Sequence, residues 1–148
     1  DPSAVPPGGA PAANAQGAPP FRAATDIHQM MLWIVDPAAD VIWDSAGTII
    51  TADGSEELAP TSGKGWAKVQ RAAAILTESG NLLMMPGRAA GDDWIAWSRQ
   101  LVDTGTLAMQ AAQARDAQAL FDAGGRIYQV CLGCHDQYWK TFERPAAN

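Results

Sequence analysis

The segment Cys131-Leu132-Gly133-Cys134-His135 constrains this chain more than any other. It holds both cysteines of the protein and one of its two histidines. Two thiols three residues apart lie on one face of a helical turn, and an imidazole follows directly. This C-x-x-C-H pattern is typical of covalent haem attachment, in which the thiols form thioethers and the histidine binds iron. The sequence predicts one haem c, attached through Cys131 and Cys134 and ligated by His135.

Three other interpretations of the cysteine pair are weaker. A structural zinc site needs four ligands, and the chain offers only one further histidine, His28. A thioredoxin-like redox pair follows a strand at the start of a helix, whereas the residues before Cys131 have a helical pattern. A simple disulfide between the cysteines leaves His135 without a role.

Composition limits the class of protein. A length of 148 residues with 47% hydrophobic content fits one globular domain. The net charge of −6 argues against nucleic acid or an anionic membrane surface as a partner. An acidic electron carrier that meets a basic docking face stays open. The longest apolar run, residues 30–35, is too short to cross a bilayer, so no transmembrane segment is expected.

The chain divides at about residue 23. Residues 1–23 form a Pro/Ala/Gly-rich arm that cannot bury enough apolar area to offset its ordering entropy, and we expect it to be flexible. The arm is either a plain disordered terminus or a tether to an anchor or partner. Residues 24–148 form the predicted cytochrome domain. Because haem is attached to this motif outside the bacterial cytoplasm, we expect an exported, periplasmic protein whose signal peptide has been removed.

Four segments of the domain carry apolar residues every three or four positions, as amphipathic helices do. The first begins at Ala24, and Pro37 should kink it or divide it. A turn-rich connection over residues 48–61, with a turn at Asp53-Gly54, follows it. The other three helices start near Thr61 or Ser62, near Asp92 and near Asp116, and the last one stops at Pro145. We therefore predict an all-α, antiparallel up-down-up-down four-helix bundle with covalently attached haem.

Residues 123–139, AGGRIYQVCLGCHDQYW, resemble the final helix of the class II cytochromes c, the group of cytochrome c′ and its low-spin relatives. In that family the motif lies in the fourth helix, near the C-terminus. The resemblance implies a haem between the helices of a left-handed bundle, with His135 as proximal ligand, and a homodimer formed through the first two helices. The chain departs from the family in its arm, its long connection and its six tryptophans. It also has His28 where relatives carry an arginine near a haem propionate.

The sixth iron ligand separates an electron carrier from a gas-binding protein. In an up-down-up-down bundle Met31 and His135 lie at a similar depth, about 10 Å from the same end, so Met31 is the predicted ligand opposite His135. Met30 lies on a neighbouring part of the helix face and is an alternative. His28, or an open or water-occupied site, are the others.

The remaining pocket residues are predicted from their chemistry. Trp94, Trp97 and Tyr128 are expected to pack around the porphyrin, although aromatic residues at helical spacing are also ordinary core. A buried propionate needs a charged partner, and Arg88 at the end of the second helix is the predicted one. The other candidates for this pairing are Arg71, Arg99 and Arg126.

Together these features predict a periplasmic monohaem c-type cytochrome that transfers single electrons between protein redox partners, with His/Met-ligated iron. The alternative is a five-coordinate haem protein that binds NO or CO, as the family resemblance implies. A third interpretation is a haem subunit of a larger redox complex. The chain is not expected to be an enzyme, because it offers no catalytic set of side chains beside the haem.

Overall fold

The computed structural model describes residues 20–139, of which 71% are helical. The predicted helical character is confirmed. Most of the predicted N-terminal arm, and the predicted helix end at Pro145, lie outside the described residues. None of the helices within residues 20–139 is both long and apolar enough to cross a membrane. The elements in chain order are α1 (Ile27–Met30), a π turn (Met31–Val35), α2 (Asp36–Asp44), β1 (Thr48–Thr51), β2 (Gly54–Glu57), α3 (Gly63–Leu83), α4 (Asp92–Ala114) and α5 (Ala117–Tyr138).

The first helix is continuous at Pro37, which was predicted to kink it or divide it. The chain runs from α1 through the π turn into α2, and the backbone N–H of Asp36 donates to the carbonyl of Met31, five residues earlier. Pro37 has no N–H, and in a regular α-helix its ring would crowd the carbonyl of Trp33. The wider π turn before Pro37 accommodates both effects without dividing the helix.

Side-chain caps set three of the helix starts. Asp26 and Gln29 form a reciprocal capping box at α1, with hydrogen bonds of 2.8 and 3.1 Å. Ser62 accepts a hydrogen bond from a backbone N–H of the first turn of α3, and Asp116 does the same for α5. The starts predicted near Ser62 and Asp116 are confirmed, whereas the first helix begins at Ile27, later than predicted.

The connection over residues 48–61 contains a β-hairpin that the sequence did not predict. Strands β1 and β2 are antiparallel, with Thr48 opposite Glu57 and Thr51 opposite Gly54. Every residue of both strands is exposed, so the alternation of apolar and polar residues that marks a half-buried strand is absent. The predicted turn at Asp53-Gly54 becomes the tip of this hairpin.

The long helices pack in sequence, α3 against α4 and α4 against α5, while α2 contacts α3 and α5. Two glycines allow α3 and α4 to approach closely. A Cβ on Gly80 would lie 2.7 Å from the carbonyl oxygen of Ser98, and one on Gly105 would lie 3.0 Å from the Cα of Thr77. Each helix therefore presents a glycine where the backbone of the other passes.

The core lies between these helices. It includes the fully buried side chains of Met30, Ile42, Leu76 and Ile127. The predicted inward face of α3 is buried at every position, namely Trp66, Val69, Ala73, Leu76, Gly80 and Leu83.

Candidate functional site

The C-x-x-C-H motif lies on the last turns of α5, and its cysteines continue the buried face of that helix. Ile127 is fully buried, and Cys131 and Cys134 follow it at four and seven positions, which keeps all three on one face. Both cysteines are half-buried free thiols. Across residues 20–139, no group of three or more His, Cys, Asp and Glu side chains is placed to hold a metal ion.

Two adjoining cavities lie beside the motif. The first, of about 200 Å³, lies among α2, α4 and α5. The second, of about 240 Å³, lies between α1 and the end of α5. The residues that border both cavities are Met31, Asp36, Trp94, Cys134 and His135. Met31 and His135 therefore border a common space.

Most of the predicted site residues meet at the first cavity. Those that border it are Cys131, Cys134, His135, Met31, Trp94, Trp97 and Tyr128. Of the predicted set, only Arg88 is absent from the linings of both cavities.

Arg88 has a structural role in this arrangement. Its guanidinium donates to the carbonyl of Leu82 and to both the carbonyl and the hydroxyl oxygen of Thr25, each at 3.1 Å. Its side chain also donates to the sulfur of Met85 at 3.2 Å. These contacts join the end of α3 to the segment before α1. Arg88 borders neither cavity, and its pairing with a propionate stays a prediction.

The alternative ligands opposite His135 are placed less favourably than Met31. Met30 is fully buried in the core and borders neither cavity. His28 is exposed and borders only the second cavity. The one-residue difference between Met30 and Met31 thus decides which methionine faces the motif.

Aromatic side chains form the walls of the two cavities. The indole N–H of Trp94 donates to the carbonyl of Leu83 at 2.7 Å, and its ring packs edge-on against Tyr138. Trp43, which the sequence did not suggest, packs edge-on against Tyr128 with a centroid separation of 5.9 Å. These pairs hold the aromatic walls in fixed orientations.

Asp36 is a site residue that sequence reasoning missed. In a regular α-helix a side chain five positions after Met31 lies about 140° around the axis. The i→i+5 hydrogen bond of the π turn brings both residues to the same side, and both border the two cavities. The only sequence signal was the Asp36-Pro37 pair, which predicted a break and not a turn that redirects a carboxylate.

The environment keeps the motif side chains neutral at neutral pH. Burial raises the pKa of the Cys131 thiol to about 11, with smaller contributions from the charges of Asp36 and Cys134. Burial also raises the pKa of Cys134. Burial lowers the pKa of His135, while the carboxylate of Asp36 acts in the opposite direction. The site thus presents two protonated thiols and a neutral imidazole, the form of histidine that binds metal ions.

Trp97 is held against the motif by a chain of hydrogen bonds. Its indole N–H donates to the amide oxygen of Gln137 at 3.0 Å, and the Gln137 amide nitrogen donates to Asp93 at 2.7 Å. A Cβ on Gly133 would overlap the six-membered ring of Trp97. The start of α4 is therefore tied to the end of α5, and the motif needs a glycine where the indole ring covers it.

No protein-family model, curated protein sequence or solved structure matches this chain. The resemblance of residues 123–139 to the class II cytochromes c therefore stays a prediction. What the protein does is inferred from the motif and the two cavities.

Proposed function

We propose that the chain is a c-type cytochrome with a single haem. More particularly, we propose an electron-transfer protein of the class II kind with two protein ligands on the iron. One observation carries the proposal, namely that Cys131, Cys134 and His135 border the same cavity as Met31. When bound, haem c supplies a one-electron iron couple, which is the chemistry that single-electron transfer needs.

Cys131 and Cys134 are proposed to hold the cofactor. Each sulfur would bond to a vinyl carbon while its hydrogen passes to the adjacent carbon, so the attachment consumes no oxidant. Both thiols are free, and their raised pKa keeps them protonated. Because the thiolate is the attacking species in thiol–disulfide exchange, these pKa values disfavour disulfide formation between the cysteines before attachment.

His135 and Met31 are proposed as the axial ligands. The lowered pKa of His135 leaves its imidazole free of a competing proton at neutral pH. Met31 borders both cavities with His135, which supports a ligand on the opposite side of the same space. A thioether ligand raises the reduction potential of haem iron, as suits a protein that accepts electrons.

The residues around the two cavities fit a large, flat, mostly apolar group with acidic substituents. Volumes of about 200 and 240 Å³ each fall below the roughly 300 Å³ of a typical ligand site, and together they exceed it. Trp94, Trp97 and Tyr128 supply apolar walls. Trp139 borders the second cavity, and its indole N–H is buried without a hydrogen-bond partner among residues 20–139. A carboxylate of the cofactor would give that donor an acceptor.

For the architecture, we propose the up-down-up-down bundle predicted from the sequence. Support comes from the packing of α3 on α4 and of α4 on α5, each pair joined by a short connection, and from the contacts of α2 with α3 and α5. The proposed location is the periplasm, because haem attachment to this motif takes place outside the bacterial cytoplasm. The proposed partners are redox proteins.

Haem attachment can be tested by expressing the exported protein together with a c-type cytochrome maturation system. We expect one haem that stays with the denatured polypeptide in a gel, gives a c-type pyridine haemochrome spectrum and adds the mass of one haem. The double variant Cys131→Ser/Cys134→Ser is the control and should carry no covalent haem. Native protein that stays haem-free under conditions that load a reference cytochrome would refute the proposal.

The role of Met31 can be tested optically on the loaded protein. We expect low-spin spectra, the weak red absorption of thioether-ligated ferric haem, and slow CO binding to the reduced form. Met31→Ala should become high-spin and bind CO rapidly, whereas Met30→Leu, in the core, should keep the native spectrum. High-spin native protein that binds CO rapidly would instead indicate the five-coordinate, gas-binding class.

A further inference from the structure

An exposed apolar stripe runs along α5 toward the motif. Phe121, Tyr128 and Leu132 are 53%, 50% and 46% exposed, and intervals of seven and four residues place them on one face of the helix. We call these three residues the α5 stripe. Tyr128 and Leu132 also border the first cavity beside the cysteines. A molecule bound to the α5 stripe therefore approaches the cofactor space through a single layer of side chains.

A row of exposed carboxylates lies on the neighbouring helix. Asp36, Asp40 and Asp44 recur every four residues on α2, so they follow one face of it, and we call them the α2 acidic row. Trp43 connects the two features, because its indole N–H donates to the carbonyl of Gly124 on α5 at 3.0 Å. Its ring also packs against Tyr128 of the α5 stripe.

Within residues 20–139, basic side chains border grooves beside these helices, and Arg126 shares one of these grooves with Leu132. Lys68 and Arg71 border a groove on the α3 side of α2, together with Pro37 and Val41. Arg126 borders the grooves between α4 and α5. The face formed by the α5 stripe and the α2 acidic row thus combines apolar surface with negative charge, on a chain whose net charge is −6.

We propose that this face is the docking surface for a basic redox protein, an inference that rests on the proposed function. Apolar residues around the partner's redox centre would pack on the α5 stripe, and flanking lysines or arginines would pair with the α2 acidic row. One electron leaves the reduced haem protein and is gained by the oxidised partner, and no bond is made or broken. A second copy of this chain is disfavoured as occupant, because a two-fold contact would place two acidic rows together.

The test uses haem-loaded, reduced protein and tris(1,10-phenanthroline)cobalt(III), an oxidant that is both cationic and apolar. Stopped-flow rates are compared with those for anionic ferricyanide. Replacing Asp40→Asn and Asp44→Asn together should slow oxidation by the cobalt complex about three- to tenfold, as expected for losing two surface charge interactions. The ferricyanide rate should not fall. Phe121→Ser should also slow the cobalt reaction, and added decalysine peptide should inhibit it in the native protein but not in the double variant.

Matched controls separate the docking face from total charge and total apolar surface. Glu78→Gln with Asp53→Asn removes two exposed carboxylates from α3 and the hairpin tip. Ile75→Ser removes an apolar side chain that is 49% exposed on another face, close to the 53% of Phe121. The Glu78/Asp53 double variant and Ile75→Ser should each react with the cobalt complex within about twofold of the native rate. For the double variant, this is expected of charges beyond the screening length.

The proposal is overturned if the Asp40/Asp44 and Phe121 variants react no more slowly than the controls. It is also overturned if native protein is a dimer in size-exclusion chromatography and these variants are monomeric, because the face would then join two copies. Haem loading is measured first for every variant. Failure of native protein to load haem counts against the proposed function, whereas normal loading with no dependence on this face counts only against the docking surface.

Discussion

The contact between Gly133 and Trp97 leads to a prediction about stability. Whether Gly133→Ala raises or lowers the free energy of unfolding depends on the indole ring of Trp97. Gly133→Ala adds a methyl group inside α5, where alanine is favoured over glycine by about 1 kcal/mol. In the native protein that methyl group overlaps the ring of Trp97. The ring cannot simply move aside, because its N–H is bonded to Gln137, which is itself bonded to Asp93.

The magnitudes favour a net loss of stability. Overpacking of this kind costs about 1–3 kcal/mol, and loss of the Trp97–Gln137 hydrogen bond adds about 1 kcal/mol. After the gain in helix propensity, Gly133→Ala should lower the free energy of unfolding by about 1–3 kcal/mol. In a Trp97→Ala background the overlap is gone, and Gly133→Ala should instead raise it by about 1 kcal/mol. The coupling energy between the two positions is then about 2–4 kcal/mol.

The assay is urea unfolding of the four proteins of this cycle, followed by far-ultraviolet circular dichroism on haem-loaded samples. Gly125→Ala is the matched control, because a Cβ on Gly125 meets nothing within 4 Å. That variant should be neutral or stabilising in both backgrounds. If Gly133→Ala has the same effect with and without Trp97, the indole ring does not lie on the motif and the reasoning is wrong.

Three further predictions concern the haem-free protein. The pKa of Cys131 is about 11 in the folded state against 9.0 ordinarily, so the contribution of this thiol to stability should be constant below pH 9 and fall by about 2–3 kcal/mol as the pH rises to 11. Cys131→Ser should flatten this profile in urea titrations. Burial and the charge of Asp40 raise the pKa of Asp36 above 3.8. Asp36→Asn should therefore stabilise the protein at pH 7 by less than about 1 kcal/mol. A gain in Tm that persists below pH 3.8 would contradict the charge of Asp36 as the cause. Trp43→Phe removes the indole hydrogen bond to the carbonyl of Gly124, which keeps its bond within α5, and should cost about 0.5–1.5 kcal/mol. Trp33→Phe, at a site 63% exposed, should cost under about 0.5 kcal/mol, and equal costs in thermal unfolding would argue against that hydrogen bond.

Local signals predicted the long helices well. Ser62 and Asp116 have short polar side chains that satisfy first-turn N–H groups wherever a helix begins, so they mark starts without reference to the rest of the fold. The buried face of α3 followed from its apolar period alone. The hairpin of β1 and β2 was missed because neither strand has a buried side, and a period-2 signal arises only when one side is buried.

At the site, the motif spacing predicted which helix face carries the cysteines, and Met31, predicted from helix depth, borders the same cavity as His135. Long-range contacts were not predictable in the same way. Arg88 donates to Thr25, which lies 63 residues earlier in the chain, and nothing in the local pattern distinguishes that use of a guanidinium from an anion contact. Trp97 and Gln137 are 40 residues apart, and their hydrogen bond exists only once α4 and α5 are packed.

The π turn between α1 and α2 determines how Met31 is oriented relative to the buried face of α2. In an unbroken α-helix the buried positions Ala38, Ala39 and Ile42 would fix the direction of every earlier side chain, including Met31. The π turn accommodates one residue more than an α-helical turn, so the segment before it is rotated by about 100° relative to a regular helix. Loss of one residue from Met31–Val35 would rotate everything before it by about 100° while the α2 core stayed in place. The extra residue of this turn therefore decides on which side of the helix Met31 lies.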